Sequence, residues 1–108
     1  MKVESGAKMP LLIKEKSSIL ICFNETTFVT QEGMTMYRYD GLRMNEPYDK
    51  HEIINDIIRL KYPQESMEAI INNYLSDPTD EDYKQEFNAM QAWRESAKAI
   101  AKEVMEQI

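Results

Sequence analysis

Nowhere in the chain do apolar residues run on for the 18 or so positions that a membrane-spanning helix needs, so no such span is expected. Residues 1–16 carry lysines but no continuous apolar stretch and no small-residue cleavage site, so no secretory signal is expected either. Cysteine occurs once, as Cys22. It has no partner for an internal disulfide, and no zinc-ligand spacing exists. A reducing interior, the cytoplasm, fits that usage. Histidine also occurs once, as His51, between Lys50 and Glu52. A histidine general base needs an orienting carboxylate and a nucleophile within reach. The flanking sequence offers neither, so His51 is expected to be a solvated helix residue. The three glycines, Gly6, Gly33 and Gly41, are scattered. They form no phosphate-cradling loop and no Gly-x-Ser-x-Gly elbow.

Clustered positive charge is missing too. The net charge is −6 and uneven. Residues 1–50 hold seven Lys/Arg and seven Asp/Glu, whereas residues 51–108 hold six and twelve. Nucleic-acid phosphates require grouped cations, so an acidic half excludes DNA or RNA as the expected partner. Such a half suits a basic protein surface, or solubility. The apolar fraction of 43% and charged fraction of 30% are those of an ordinary globular chain, and 108 residues make one domain with a modest core.

What is present is organised around residues 77–108. Tyr83, Phe87, Met90, Trp93, Ala97, Ile100, Val104 and Ile108 recur at steps of three or four, the spacing of one apolar helical stripe. Asp77 with Pro78 predicts the helix start, with Thr79 and Asp82 as a competing cap. Asp80, Glu81 and Asp82 place negative charge where the helix dipole favours it. A helix of roughly 29 residues spans about 43 Å. That exceeds the roughly 34 Å diameter of a compact domain of this size. Its last turns therefore fray, kink, lie under the sheet, or pack on another chain. In the last case Ile100, Val104, Met105 and Ile108 form the self-association stripe. Arg94 is the surface anchor beside a Trp93 expected in the core.

Before this helix, Ser18 to Asn24 reads as the strongest strand. Ile19, Ile21 and Phe23 alternate with Leu20 and Cys22, which predicts a strand covered on both faces. Cys22 is then an inert core thiol, since activation needs nearby cations or a helix N-terminus. Leu11–Lys14 is a short strand. Asn24, Glu25 and Thr26 read as a turn into a third strand, Thr27–Gln31, and Glu32-Gly33 turns into a fourth, Met34–Tyr39. Residues 1–10 read as a flexible terminus. Residues 42–48 read as a loop. Asp49 and Glu52 sit at capping-box spacing for a helix that Pro63 ends. Met67, Ile70, Ile71, Tyr74 and Leu75 predict a second helix from about residue 64 to 75. The class is α+β: a small N-terminal antiparallel sheet of three to four strands, then three helices, the last one long. The expected division is a single domain over 11–108, with its sheet part at 11–40 and its helical part at 49–108.

Three apparent chemistries have simpler readings. Asp77, Asp80, Glu81 and Asp82 lack the alternation and glycine of a calcium loop, and capping accounts for them. The helix pair 49–61 and 64–75 offers no basic residue on its second helix, so it is not a DNA reader. Tyr37, Arg38 and Tyr39 lack the cationic groove of a base-stacking platform. No catalytic residue, cofactor or metal is expected.

Tyr48-Asp49, Ile53, Ile57-Ile58-Arg59, Lys61-Tyr62, Glu68-Ala69-Ile70, Asn72-Asn73-Tyr74, Asp77-Pro78, Trp93-Arg94, Ala97-Lys98 and Ala101-Lys102 resemble small proteins encoded in prophage tail-gene regions of intestinal bacteria. The resemblance covers residues 39–105. It implies a non-enzymatic structural or tail-assembly accessory protein, cytoplasmic or virion-associated. The expectation is thus a protein–protein interaction or assembly module. Its partner is another protein or a second copy, the latter as a homodimer through the C-terminal helix. The alternative is a small acidic regulator that covers the basic surface of a nucleic-acid-handling protein.

Overall fold

The computed structural model describes residues 1–108. Four strands, β1 (Lys2–Ser5), β2 (Leu12–Lys14), β3 (Ser18–Val29) and β4 (Thr35–Asn45), precede three helices. These are α1 (Lys50–Lys61), α2 (Gln64–Ser76) and α3 (Glu81–Gln107). The class is α+β, as the sequence predicts. The chain forms two compact units. One holds Met1–Asp49 with Glu103–Ile108, the other Lys50–Lys102.

In the first unit the strands run antiparallel in the order β1-β4-β3-β2. Ser18 to Phe23 are all buried, because this half of β3 lies between β4 and β2 and is apolar at both parities. The expected turn at Asn24–Thr26 is instead an irregularity within one long strand, between Phe23 and Thr26. Asn24 takes φ 55°, a left-handed conformation that asparagine tolerates. Beyond it, β3 and β4 continue as an exposed ribbon closed by Gly33 at φ 81°. Arg38 braces the ribbon, with its guanidinium 2.9 Å from the Glu4 carboxylate and 4.5 Å from the Phe28 ring centre.

β4 also runs past its expected end at Tyr39, as far as Asn45, and takes in much of the predicted 42–48 loop. Residues 1–10, read as flexible, are corrected as well, because β1 pairs with β4 from Lys2↔Asp40 to Ser5↔Tyr37. Four residues with one aliphatic side chain carry almost no periodicity. Their order comes from the unfilled edge of β4. Gly41 permits the close approach, since a Cβ there would lie 2.6 Å from Val3 Cγ2 and 3.3 Å from Met1 Cγ. Its N–H donates to the Met1 carbonyl at 2.7 Å. Gly41→Val is expected to displace β1 and cost about 1–3 kcal/mol. Loss of amide-exchange protection confined to residues 2–5 and 37–41 would be the signature.

Leu20, Cys22 and Tyr39 form a cluster on one face of the sheet, joined by Val3, Met9, Ile13 and Tyr37. The buried Tyr39 hydroxyl accepts from the Met9 N–H (2.9 Å) and donates to Glu25 Oε1 (2.7 Å). Burial pushes its phenol up from the ordinary tyrosine value. Asp40 takes hydrogen bonds from the Lys2 ammonium and from Asn24 Nδ2, the latter at 3.0 Å. Burial alone would raise its carboxyl, but Lys2 and Asn24 outweigh burial and hold it below the usual carboxylate range. A depressed folded-state pKa contributes stability above the unfolded value of about 3.9 and loses it as pH falls through the folded value. The Gly41 amide is therefore expected to exchange faster as pH drops below about 4, after correction for intrinsic rates. Asp40→Asn should remove that acid sensitivity.

In the second unit α1 ends just before Tyr62-Pro63, as the pre-proline restriction requires. α3 starts later than expected. Asp77 holds the turn, taking the Thr79 N–H (3.2 Å) and hydroxyl (2.6 Å), and these Thr79 bonds hold its carboxyl below the ordinary range. Asp80 is the cap, accepting from the Asp82 and Tyr83 N–H groups at 3.0 and 3.1 Å. Tyr74 of α2 stacks on Phe87 of α3, with centroids 4.3 Å apart and planes at 9°. Trp93 is half-buried and its indole N–H donates to the Ile57 carbonyl of α1 at 3.1 Å. Met90 and Ala97 have no exposed surface.

α3 runs on from Lys102 into the sheet unit. Its last residues, Glu103–Ile108, are compact with the sheet. None of the three helices is long and apolar enough to cross a membrane.

Candidate functional site

A concave surface of the helical unit lies between α1 and α3. Ile54, Asn55 and Ile58 line it from α1, with Ile54 and Ile58 one turn apart, and Lys50 and His51 stand at the α1 N-terminus. Arg94 and Lys98, four residues apart on α3, form the opposite wall. The cleft encloses about 470 Å³, within the range of ligand sites. Ile58 is buried and Ile54 half-buried, so the floor is aliphatic. A second depression of 220 Å³ shares Asn55, Ile58 and Arg94. It continues toward α2 over Arg59, Gln64, Met67, Glu68 and Ile71, so a carboxylate stands on that side only. Arg94 stands where the two join.

The charge of the cleft runs against its surroundings. Residues 50–102 carry seven Lys/Arg and ten Asp/Glu. The larger depression is lined by Lys50, Arg94 and Lys98, with no carboxylate. Arg94 is half-buried yet engages no carboxylate, and Lys50 is likewise without an ion pair. Lys98 contacts Glu95 at 3.2 Å, an exposed i,i+3 pair of the kind worth little. An aliphatic floor beside two unpaired cations, Lys50 and Arg94, and a third held only by an exposed pair can bind an anion attached to an apolar group.

The residues singled out from the sequence fall in different places. Arg94 lines the cleft, as a surface anchor should. Ile100 is half-buried in the same unit. Val104, expected on a self-association stripe, has no exposed surface and belongs with the sheet unit, so it is a core residue unavailable to a partner. Met105 and Ile108 are 39% and 49% exposed. His51 is exposed, and no spacing along the chain groups it with Arg94. Lys50, Ile54, Asn55 and Lys98 were also missed. Their stripes show at i,i+4 spacing on each helix, but only tertiary packing sets one against the other.

Cys22 is buried in β3, and burial pushes its thiol up from the ordinary cysteine value. No group of three or more His, Cys, Asp or Glu is placed to hold a metal ion. Comparison with family models, curated proteins and solved structures finds no match for the chain. The cleft must therefore be interpreted from its own chemistry.

Proposed function

We propose that the protein is a non-enzymatic interaction or assembly module that docks an acidic protein surface on the cleft between α1 and α3. The observation that carries this reading is the cleft's charge: Lys50, Arg94 and Lys98 over Ile54 and Ile58, with no lining carboxylate, in an otherwise acidic unit. Electrostatic complementarity steers encounter and suppresses wrong partners, while the buried apolar centre supplies affinity. Arg is a frequent interface anchor because its planar donors meet a carboxylate in two parallel hydrogen bonds. The resemblance to prophage tail-region proteins supplies a setting in which a small chain of this kind would serve assembly.

The test is affinity capture from the native host with the wild-type chain and with Arg94→Glu/Lys98→Glu, eluting by salt. A specific protein retained by the wild type, released by salt and lost with the double variant supports the reading. An identical captured set for both chains contradicts it.

A further inference from the structure

We infer that the occupant of the cleft is the acidic corner between α2 and α3 of a second copy of this chain, which makes the module a head-to-tail self-assembler. The inference rests on the reading of the cleft as a docking surface and names its partner. The corner has the complementary composition. Asp77, Asp80, Glu81 and Asp82 lie within six residues, and none of them is ion-paired with a Lys or Arg. Beside them Leu75, at the end of α2, is 68% exposed, the most exposed large apolar side chain of the molecule. The corner is thus an apolar knob beside carboxylates, and the cleft is an apolar floor beside cations.

The contact cannot close within one molecule. Glu81 precedes Arg94 by 13 residues and Lys98 by 17 on the same unbroken helix. That separation is roughly 20–25 Å along the axis. A corner held that far from its own cleft reaches only the cleft of another copy. Leu75 would sit over Ile54 and Ile58, with Glu81 and Asp82 facing Arg94 and Lys98. Because donor and acceptor surfaces differ, the contact is heterologous, so copies add in closed rings or in open chains that leave one of each surface free at the ends. The charged part of the contact is exposed and weakens as salt shortens the screening length.

The experiment is light scattering over a dilution series at low and high salt, with two complementary variants. One is Arg94→Glu/Lys98→Glu, which removes the acceptor. The other is Glu81→Lys/Asp82→Lys, which removes the donor, with Leu75→Ser as a second donor variant that leaves the helix cap untouched. Circular dichroism checks that each is folded. The wild-type mass is expected to rise with concentration beyond twice the chain's 12.7 kDa at low salt and to fall to the monomer at high salt. Each variant alone should be monomeric. An equimolar mixture of acceptor-dead and donor-dead chains should form a dimer and nothing larger, since one intact corner and one intact cleft remain. A monomeric wild type at every concentration overturns the inference. So does a variant that assembles alone, or a mixture that stays monomeric. If capture from the host still depends on Arg94 and Lys98 while the wild type is monomeric, the cleft reading stands and self-docking falls.

Discussion

Ile21→Ala is expected to destabilise the protein by about 3 kcal/mol, within the usual range for removing most of a buried isoleucine. Ile21 has no exposed surface and pairs with Leu12 on one side and Leu42 on the other. The ladder on both sides fixes the backbone at Ile21, so the strand cannot shift to close the void left on its face. In a chain of this size each kcal/mol lowers the melting temperature by roughly 4–8 °C, so the variant should melt about 12–24 °C below the wild type. Calorimetry or thermal circular dichroism reads this directly. Val29→Ala, farther along the same strand, is the control. Val29 is 67% exposed, and its truncation should stay within about 0.5 kcal/mol. Equal effects at the two positions would mean that β3 is not divided into a buried and an exposed half.

Arg94→Glu/Lys98→Glu should lower affinity for the partner on the order of a hundredfold or more, with little change in melting temperature. The two reversals convert the α3 wall from two cations into two carboxylates, opposite Lys50. Each close interfacial charge pair contributes roughly 1.5 kcal/mol or more, and a hundredfold loss corresponds to about 2.7 kcal/mol. Stability is spared because Arg94 has no ion pair to lose and the Lys98–Glu95 pair is exposed. Loss of binding together with a drop of more than a few degrees would assign Arg94 a structural role.

The parts of the fold legible in the sequence are those where one short segment carries its own burial pattern. Ile19, Ile21 and Phe23 against Leu20 and Cys22 announce a strand covered on both faces. The stripe of α3 is readable in the same way, and Met90, Ala97 and Val104 are its fully buried members. Features decided by a partner segment were not legible. β1 has one aliphatic residue and is ordered by the free edge of β4 and the space left by Gly41. Asn24 looks like any turn residue, yet its left-handed backbone serves a bulge because the ladder resumes at Thr26. Both Asp77 and Asp80 can cap a helix. Asp77 is occupied by Thr79, which leaves the task to Asp80. The length of the helix leaves Val104 either under the sheet or on another chain, and its burial in the sheet unit decides for the first. Of the candidate site, only Arg94 stood out, since a cleft between two helices is a property of their packing and of neither sequence alone.

The most direct test of the cleft as a docking surface is an amide and side-chain chemical-shift titration with a short acidic peptide carrying one leucine among glutamates. The same peptide with lysines in place of glutamates is the control. Saturable shifts gathered on Lys50, Ile54, Ile58, Arg94 and Lys98, abolished by salt and absent with the lysine peptide, are expected. Shifts spread over the surface, shifts gathered on the exposed β3–β4 ribbon, or equal responses to both peptides would contradict docking at the cleft.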